Sequence, residues 1–266
     1  MPEIVHRLSL DQLALYSALL AVGATWLGII FVKPFLRLLV GGEANVNESI
    51  GLATSMFSLF YGLLIGLLTV ATYQNHERVE QAAYREASAL GRLYSDMGSY
   101  PEPVRSEMRG LLRDYVLYTI YKDWPAHAEG RSLIGGAHRA DTLSQRLAAF
   151  EPMTLPQEIV HREVIGGFQS FADARQARLA GVITRIPDVL WYAVGVGAAV
   201  NIVLLVMLKI RPIPHLVLGG ITSFFLGVML FVVIALDNPL RGANAVTPQA
   251  FEALWATRMA FDEPLG

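Results

Sequence analysis

The chain has no cysteine. That excludes a disulfide framework, a thiolate nucleophile, Cys-ligated zinc and an Fe–S cluster. Charge is also scarce: 17% of residues are Asp, Glu, Lys or Arg, against about 25% in an average soluble chain. The charge present nearly cancels, leaving −2. With no Lys/Arg-rich cluster there is no footprint for nucleic acid. No Walker-type loop, dinucleotide fingerprint or G-x-S-x-G elbow occurs. His127, His138 and His161 are too widely spaced to form an i, i+4 metal pair and read as scattered surface histidines. Neither a metal, a cofactor nor a catalytic constellation is expected, so the chain reads as a non-enzyme.

Apolar residues, in contrast, are abundant. They make up 53% of 266 residues and concentrate in four blocks of about 20 residues, the length that crosses a hydrocarbon core. The blocks are 13–32, 50–72, 189–208 and 216–236. The first is longer than the ~7–15 apolar residues of a secretory signal and reads as a retained helix. Asn47-Glu48-Ser49 offers a cap for the second. Lys209-Ile210-Arg211-Pro212 stops the third, and Asp237-Asn238-Pro239 ends the fourth. No span interior contains Asp, Glu, Lys, Arg or His, which argues against an intramembrane proton relay.

These blocks divide the chain into a first transmembrane hairpin (1–72), a soluble helical region (73–188), a second hairpin (189–236) and a tail (237–266). Four spans put both termini and the central region on one side. Near the membrane that side carries Arg7, Arg78, Arg85, Arg175, Arg178, Arg185 and Arg241. The short connections opposite carry Lys33, Arg37, Lys209 and Arg211. The positive-inside bias therefore predicts cytoplasmic termini.

The central region is expected to be helical, because no window alternates with strand period and several repeat at three and four. The second span continues without proline to Asp96, so one long helix is predicted. Pro101-Glu102-Pro103 breaks it and starts another, which ends near Trp124-Pro125. Residues 129–136 read as a loop, 137–150 as a short helix, and the stretch after Pro156 as a helix returning to Pro187. Tyr115, Tyr118 and Tyr121 with Trp124 read as packing. Two charges sit on apolar stripes: Glu86 on the outgoing helix and Arg175 on the returning one. At ~1.5 Å per residue both lie ~20 Å from the membrane, so antiparallel neighbours would bring them together. Such a pair is either structural or part of an ion-lining ring. Arg178, one turn nearer the membrane, is the second choice of partner.

The second span sorts its surface. Thr54, Ser55, Ser58, Gly62, Ile65, Gly66, Thr69, Thr72 and Tyr73 fall in one sector, and larger apolar residues fill the rest. Gly62-x-x-x-Gly66 has the spacing for close helix packing. The same sector could instead line a pore, and the spacing alone leaves both open.

Several short pieces resemble bestrophins and, more closely, the mostly bacterial bestrophin-like membrane proteins of unknown function. They are Arg85-Glu86-Ala87, Leu93-Tyr94, Asp123-Trp124-Pro125, Arg178-Leu179 and Ile186-Pro187 with Leu190-Trp191. After the fourth span come Asp237, Asn238, Pro239 and Gly242, then Val246, Pro248 and Phe251. The resemblance implies an all-α, four-span protein of the cell membrane, the inner membrane in a bacterium. It further implies a homo-oligomer, pentameric in bestrophins, whose second span lines a path for small anions. Carried over, Tyr61, Ile65, Leu68 and Thr72 are the neck candidates; with Thr54 and Ser58 of the sorted sector they make up the pore-lining candidates. The acidic run of the animal calcium clasp is replaced here by Arg241-Gly242-Ala243-Asn244, so no such calcium site is expected. The rival reading is a non-conducting membrane scaffold or sensor whose cytoplasmic helices bind a protein partner.

Overall fold

A computed structural model describes residues 8–39 and 46–260, without the side chains of 37–39. Arg7, the side chain of Arg37 and the last residues of the tail lie outside the described part. Among the described residues the chain is helical with no strand. The elements are α1 (Leu10–Leu27), α2 (Lys33–Leu39), α3 (Val46–Asp96), α4 (Val104–Tyr118), α5 (Trp124–Ala128), α6 (Gly135–Ala148), α7 (Leu155–Ile183), α8 (Asp188–Met207), α9 (Pro212–Leu236) and α10 (Gln249–Leu254). Among the described residues, four helical stretches are long and apolar enough to cross a membrane: Leu10–Leu36, Val46–Ser99, Asp188–Met207 and Pro212–Leu236.

The chain forms two compact units. The first holds residues up to Gln74, Arg185–Asp237 and Gly242–Asn244; the second holds Asn75–Thr184, Asn238–Arg241 and the stretch from Ala245. The C-terminal stretch expected as a separate tail thus belongs mostly to the second unit, here called the insert. α3 runs unbroken through both, as the lack of proline predicts.

In the membrane unit α1 starts on a capping box, with Ser9 and Gln12 each satisfying the other's backbone N–H. It then passes through a π-helical turn, Gly28–Val32, into α2. The closest helix contacts are made at glycines other than the Gly62 and Gly66 that the spacing favoured. A Cβ on Gly227 of α9 would lie 2.7 Å from the Ala18 Cα of α1, and one on Gly197 of α8 would lie 2.3 Å from the Tyr61 ring. Gly62 and Gly66 meet nothing within 4 Å. A four-residue spacing allows close approach but does not select the face that receives it.

Buried polar groups in this unit find partners, as an apolar surround demands. Thr25 and Ser223 share a hydrogen bond of 2.5 Å, and Asn201 Nδ2 donates to Ser58 Oγ at 3.0 Å. Lys33 Nζ, only 6% exposed, donates to Ile210 O and to His215 Nδ1. Asn47 does not cap its own helix: its side chain accepts from Lys209 N at 2.8 Å and pins the turn between α8 and α9.

In the insert the amphipathic faces of α3, α4, α6 and α7 close over one core. Leu90, Leu93, Met97, Leu112, Val116, Val164, Phe171 and Phe251 are fully buried there. Gly181 lets α7 come against α3, since a Cβ there would lie 2.4 Å from Val79. α6 begins at Gly135, inside the stretch expected as a loop, and α7 runs through Gly166-Gly167 without a break.

Candidate functional site

Two places collect the residues singled out in the sequence. The first is the membrane half of α3. Tyr61, Ile65, Leu68 and Thr72 are buried within the chain, at 3–7% exposure, and the first three pack with residues of α8 and α9. The Tyr61 hydroxyl donates to Val194 O at 3.0 Å, and the Thr72 hydroxyl donates to Leu68 O within its own helix. In the single chain these four side chains therefore lie off the open flank of the helix. Thr54 and Ser58 are half-buried beside this face; Thr54 bonds back to Ile50 O, and Ser58 accepts from Asn201. The sorted sector therefore straddles an edge. Its inner part packs, while its outer flank, with Ser55, Gly62, Gly66 and Tyr73, is exposed.

The second place is a polar knot in the insert. Glu86 of α3 and Arg178 of α7 are both fully buried and form a two-pronged pair: Arg178 Nε donates to Oε2 at 2.6 Å and Nη2 to Oε1 at 3.3 Å. This corrects the first choice of partner, Arg175, and favours the second. Helix contour placed both arginines opposite Glu86 but did not resolve a shift of one turn along the axis. Tyr115 of α4 donates to Glu86 Oε1 at 2.5 Å, and burial pushes its phenol well above the usual range. Burial disfavours the Arg178 charge, but Glu86 and Tyr115 outweigh it and hold the guanidinium protonated. The guanidinium also lies over the rings of Trp124 and Phe251, at 5.2 and 5.7 Å, where a cation meets the negative ring faces.

His127 of α5 belongs to this knot and is not a surface histidine: it is 1% exposed. Arg178 Nη1 lies 3.3 Å from its Nδ1. Arginine can only donate, so Nδ1 carries the lone pair and the proton sits on Nε2. Burial, then Arg178 and Arg175, lower the His127 pKa to about 4. The knot also ties in the C-terminal stretch. Trp124 Nε1 donates to Val246 O at 2.9 Å, and Val246 N donates to Pro239 O at 2.8 Å. Phe251 follows one turn after Pro248 and is fully buried. In the membrane unit, Asp237 Oδ1 accepts from Ile186 N at 2.8 Å. The short pieces that carried the resemblance are thus partners: Glu86 with Arg178, Trp124 with Val246, Ile186 with Asp237. Tyr115 and His127 were missed as members. Tyr115 looked like one of three similar tyrosines, and a lone histidine carries no spacing signal.

Not every group in the knot is satisfied. Both oxygens of Asp123, Thr119 Oγ1, His127 Nε2 and Arg175 Nε are buried without a hydrogen-bond partner. Thr119 and Asp123 bound a π-helical turn between α4 and α5, a distortion frequent at functional sites.

Comparison with known proteins fits this arrangement. The model of the bestrophin-like domain matches residues 19–251, most of the chain. The protein therefore belongs to the bestrophin-like family. No curated protein matches it in sequence. Solved structures share its fold at low identity. One crystal structure described as a membrane protein superposes with a TM-score of 0.65 at 11% identity, over 91% of this chain and 97% of the other. A bacterial bestrophin homologue from Klebsiella pneumoniae gives 0.61 at 13%, over 90% and 95%. A variant of that homologue gives 0.60 at 11%, over 91% and 98%.

Proposed function

We propose that the protein is an oligomeric membrane channel that passes small anions such as chloride by passive permeation, without a cofactor. Membership of the bestrophin-like family supports a channel, and the resemblance to bestrophins supports a ring of copies around the second span. The observation that carries the reading is the open flank of α3. Ser55, Gly62, Gly66 and Tyr73 are exposed in the single chain. Beside them Phe60, Leu63 and Leu67 make a bulky apolar face that suits lipid. A helix surrounded by lipid alone has no reason to separate small and hydroxyl residues from large ones. A neighbouring copy or a water-filled axis gives it one.

Pore lining is accordingly assigned to Ser55, Gly62 and Gly66 from several copies, with Thr54 and Ser58 at the rim of that flank. The membrane is that of the cell, and the termini and insert lie on the cytoplasmic side. The test is chloride flux from liposomes holding the purified protein. Flux above that of empty liposomes is expected. Gly66→Leu should change it several-fold with little change in thermal stability, because nothing lies within 4 Å of that position. Flux equal to empty liposomes across several pH and calcium conditions would favour the scaffold instead.

A further inference from the structure

We propose that Asp123 is a proton-binding site, so that the packing of the insert responds to the pH of the compartment it occupies. The carboxyl is 1% exposed and neither oxygen accepts a hydrogen bond from any described residue. An ionised carboxylate buried this way is the costly state of the group, and the neutral acid is the cheaper one. Thr119 Oγ1, also buried and without a partner, sits one turn earlier on the same helical segment, outside direct hydrogen-bond reach of the carboxyl.

The surroundings leave the proton as the ready means of relief. Glu86 faces the group from α3, Arg139 from α6, and Arg175 and Arg178 from α7. Arg178 is committed to Glu86 and Arg139 to Asp114. Arg175 approaches but forms no direct bond with Asp123, and its Nε–H stays unpaired. The start of α6 presses on the carboxyl: a Cβ on Gly136 would lie 2.5 Å from Oδ2. A change of charge or hydrogen bonding there is therefore felt at once by a neighbouring helix. Burial raises the Asp123 pKa; Arg178 and Arg175 oppose it, and Glu86 assists.

The sign follows from linkage. A carboxyl with a raised folded-state pKa binds more protons folded than unfolded. Stability contributed through it therefore falls as pH rises from the ordinary value near ~3.9 through the folded one. His127 works oppositely, losing stability on acidification between ~6.5 and about 4. Difference curves between variants separate the two. The experiment is the thermal midpoint of the full-length protein in detergent from pH 8 to pH 4, native against Asp123→Asn. This reads stability and holds whether or not the protein conducts. At pH 8 Asp123→Asn should be as stable as the native protein or a few degrees more so, with the gain vanishing towards pH 4. Arg175→Met should move the pH at which the native curve bends upward, because it removes an opposing cation. It also keeps the test open if the asparagine variant does not fold. A constant loss for Asp123→Asn at every pH would make Asp123 a permanent ion-pair partner of Arg175 and overturn the proposal. So would an Arg175→Met curve parallel to the native one.

Discussion

Glu86 and Arg178 show how much a single pair can hold. Both are fully buried, so each is tolerated only because the other is there. Removing one partner strands a charge, which costs about 3–5 kcal/mol. Glu86→Gln or Arg178→Met alone should therefore sharply lower the denaturation midpoint. The double variant should recover part of the loss, and a double-mutant cycle would measure the coupling directly. Tyr115→Phe removes one hydrogen bond to a charged group and should cost about 1.5–3 kcal/mol. Arg175→Met should cost less than Arg178→Met at neutral pH, since Arg175 forms no pair with Glu86. Equal losses at the two arginines would return Arg175 to the role first expected of it. Glu86 on an apolar stripe was legible in the sequence as a charge in need of a partner. The choice between two arginines three residues apart was not, because both lie on one helix face and the choice depends on how far α7 is shifted along α3.

Helices in the membrane unit meet where a missing side chain lets them. At Gly227 the obstacle to a Cβ is the backbone of α1 itself, which no rotamer change relieves. Gly227→Ala should cost about 1–3 kcal/mol by overpacking. Gly197→Ala, pressed on the Tyr61 ring, should also destabilise. Gly66→Ala should be close to neutral in the isolated protomer. A stability scan of the three in detergent checks the order, and a clear loss at Gly66 would reveal a neighbour not present in one chain. The lengths of these helices follow from proline and from apolar runs, which act locally. Their facing surfaces follow from which neighbour arrives, and that is not local. The π turn at Thr119–Asp123 is similar: nothing in Thr-Ile-Tyr-Lys-Asp distinguishes it from an ordinary helical turn.

For the whole molecule, the sided distribution of arginine predicts that the insert lies in the cytoplasm. Ser132 is exposed and the chain has no native cysteine, so Ser132→Cys gives a clean probe. It should resist a membrane-impermeant thiol reagent in intact cells and react after permeabilisation. Labelling in intact cells would invert the topology.

Composition and periodicity alone determined the class of this protein. Four uncharged apolar runs require helices in lipid, because an unpaired backbone cannot exist there, and the proline-free stretch after the second run extends it into one long helix. The same reasoning showed that Glu86 needed a buried cation. Tertiary structure decided the rest. It turned Tyr61, Ile65 and Leu68 inward against α8 and α9 and left Gly62 and Gly66 outside. It also gave Glu86 to Arg178 and left Asp123 unpaired beside Arg175. Each of these depends on how one helix is rotated or shifted against another. A sequence fixes the angular spacing of side chains around a helix, but the direction a given face points is set only when its neighbours pack.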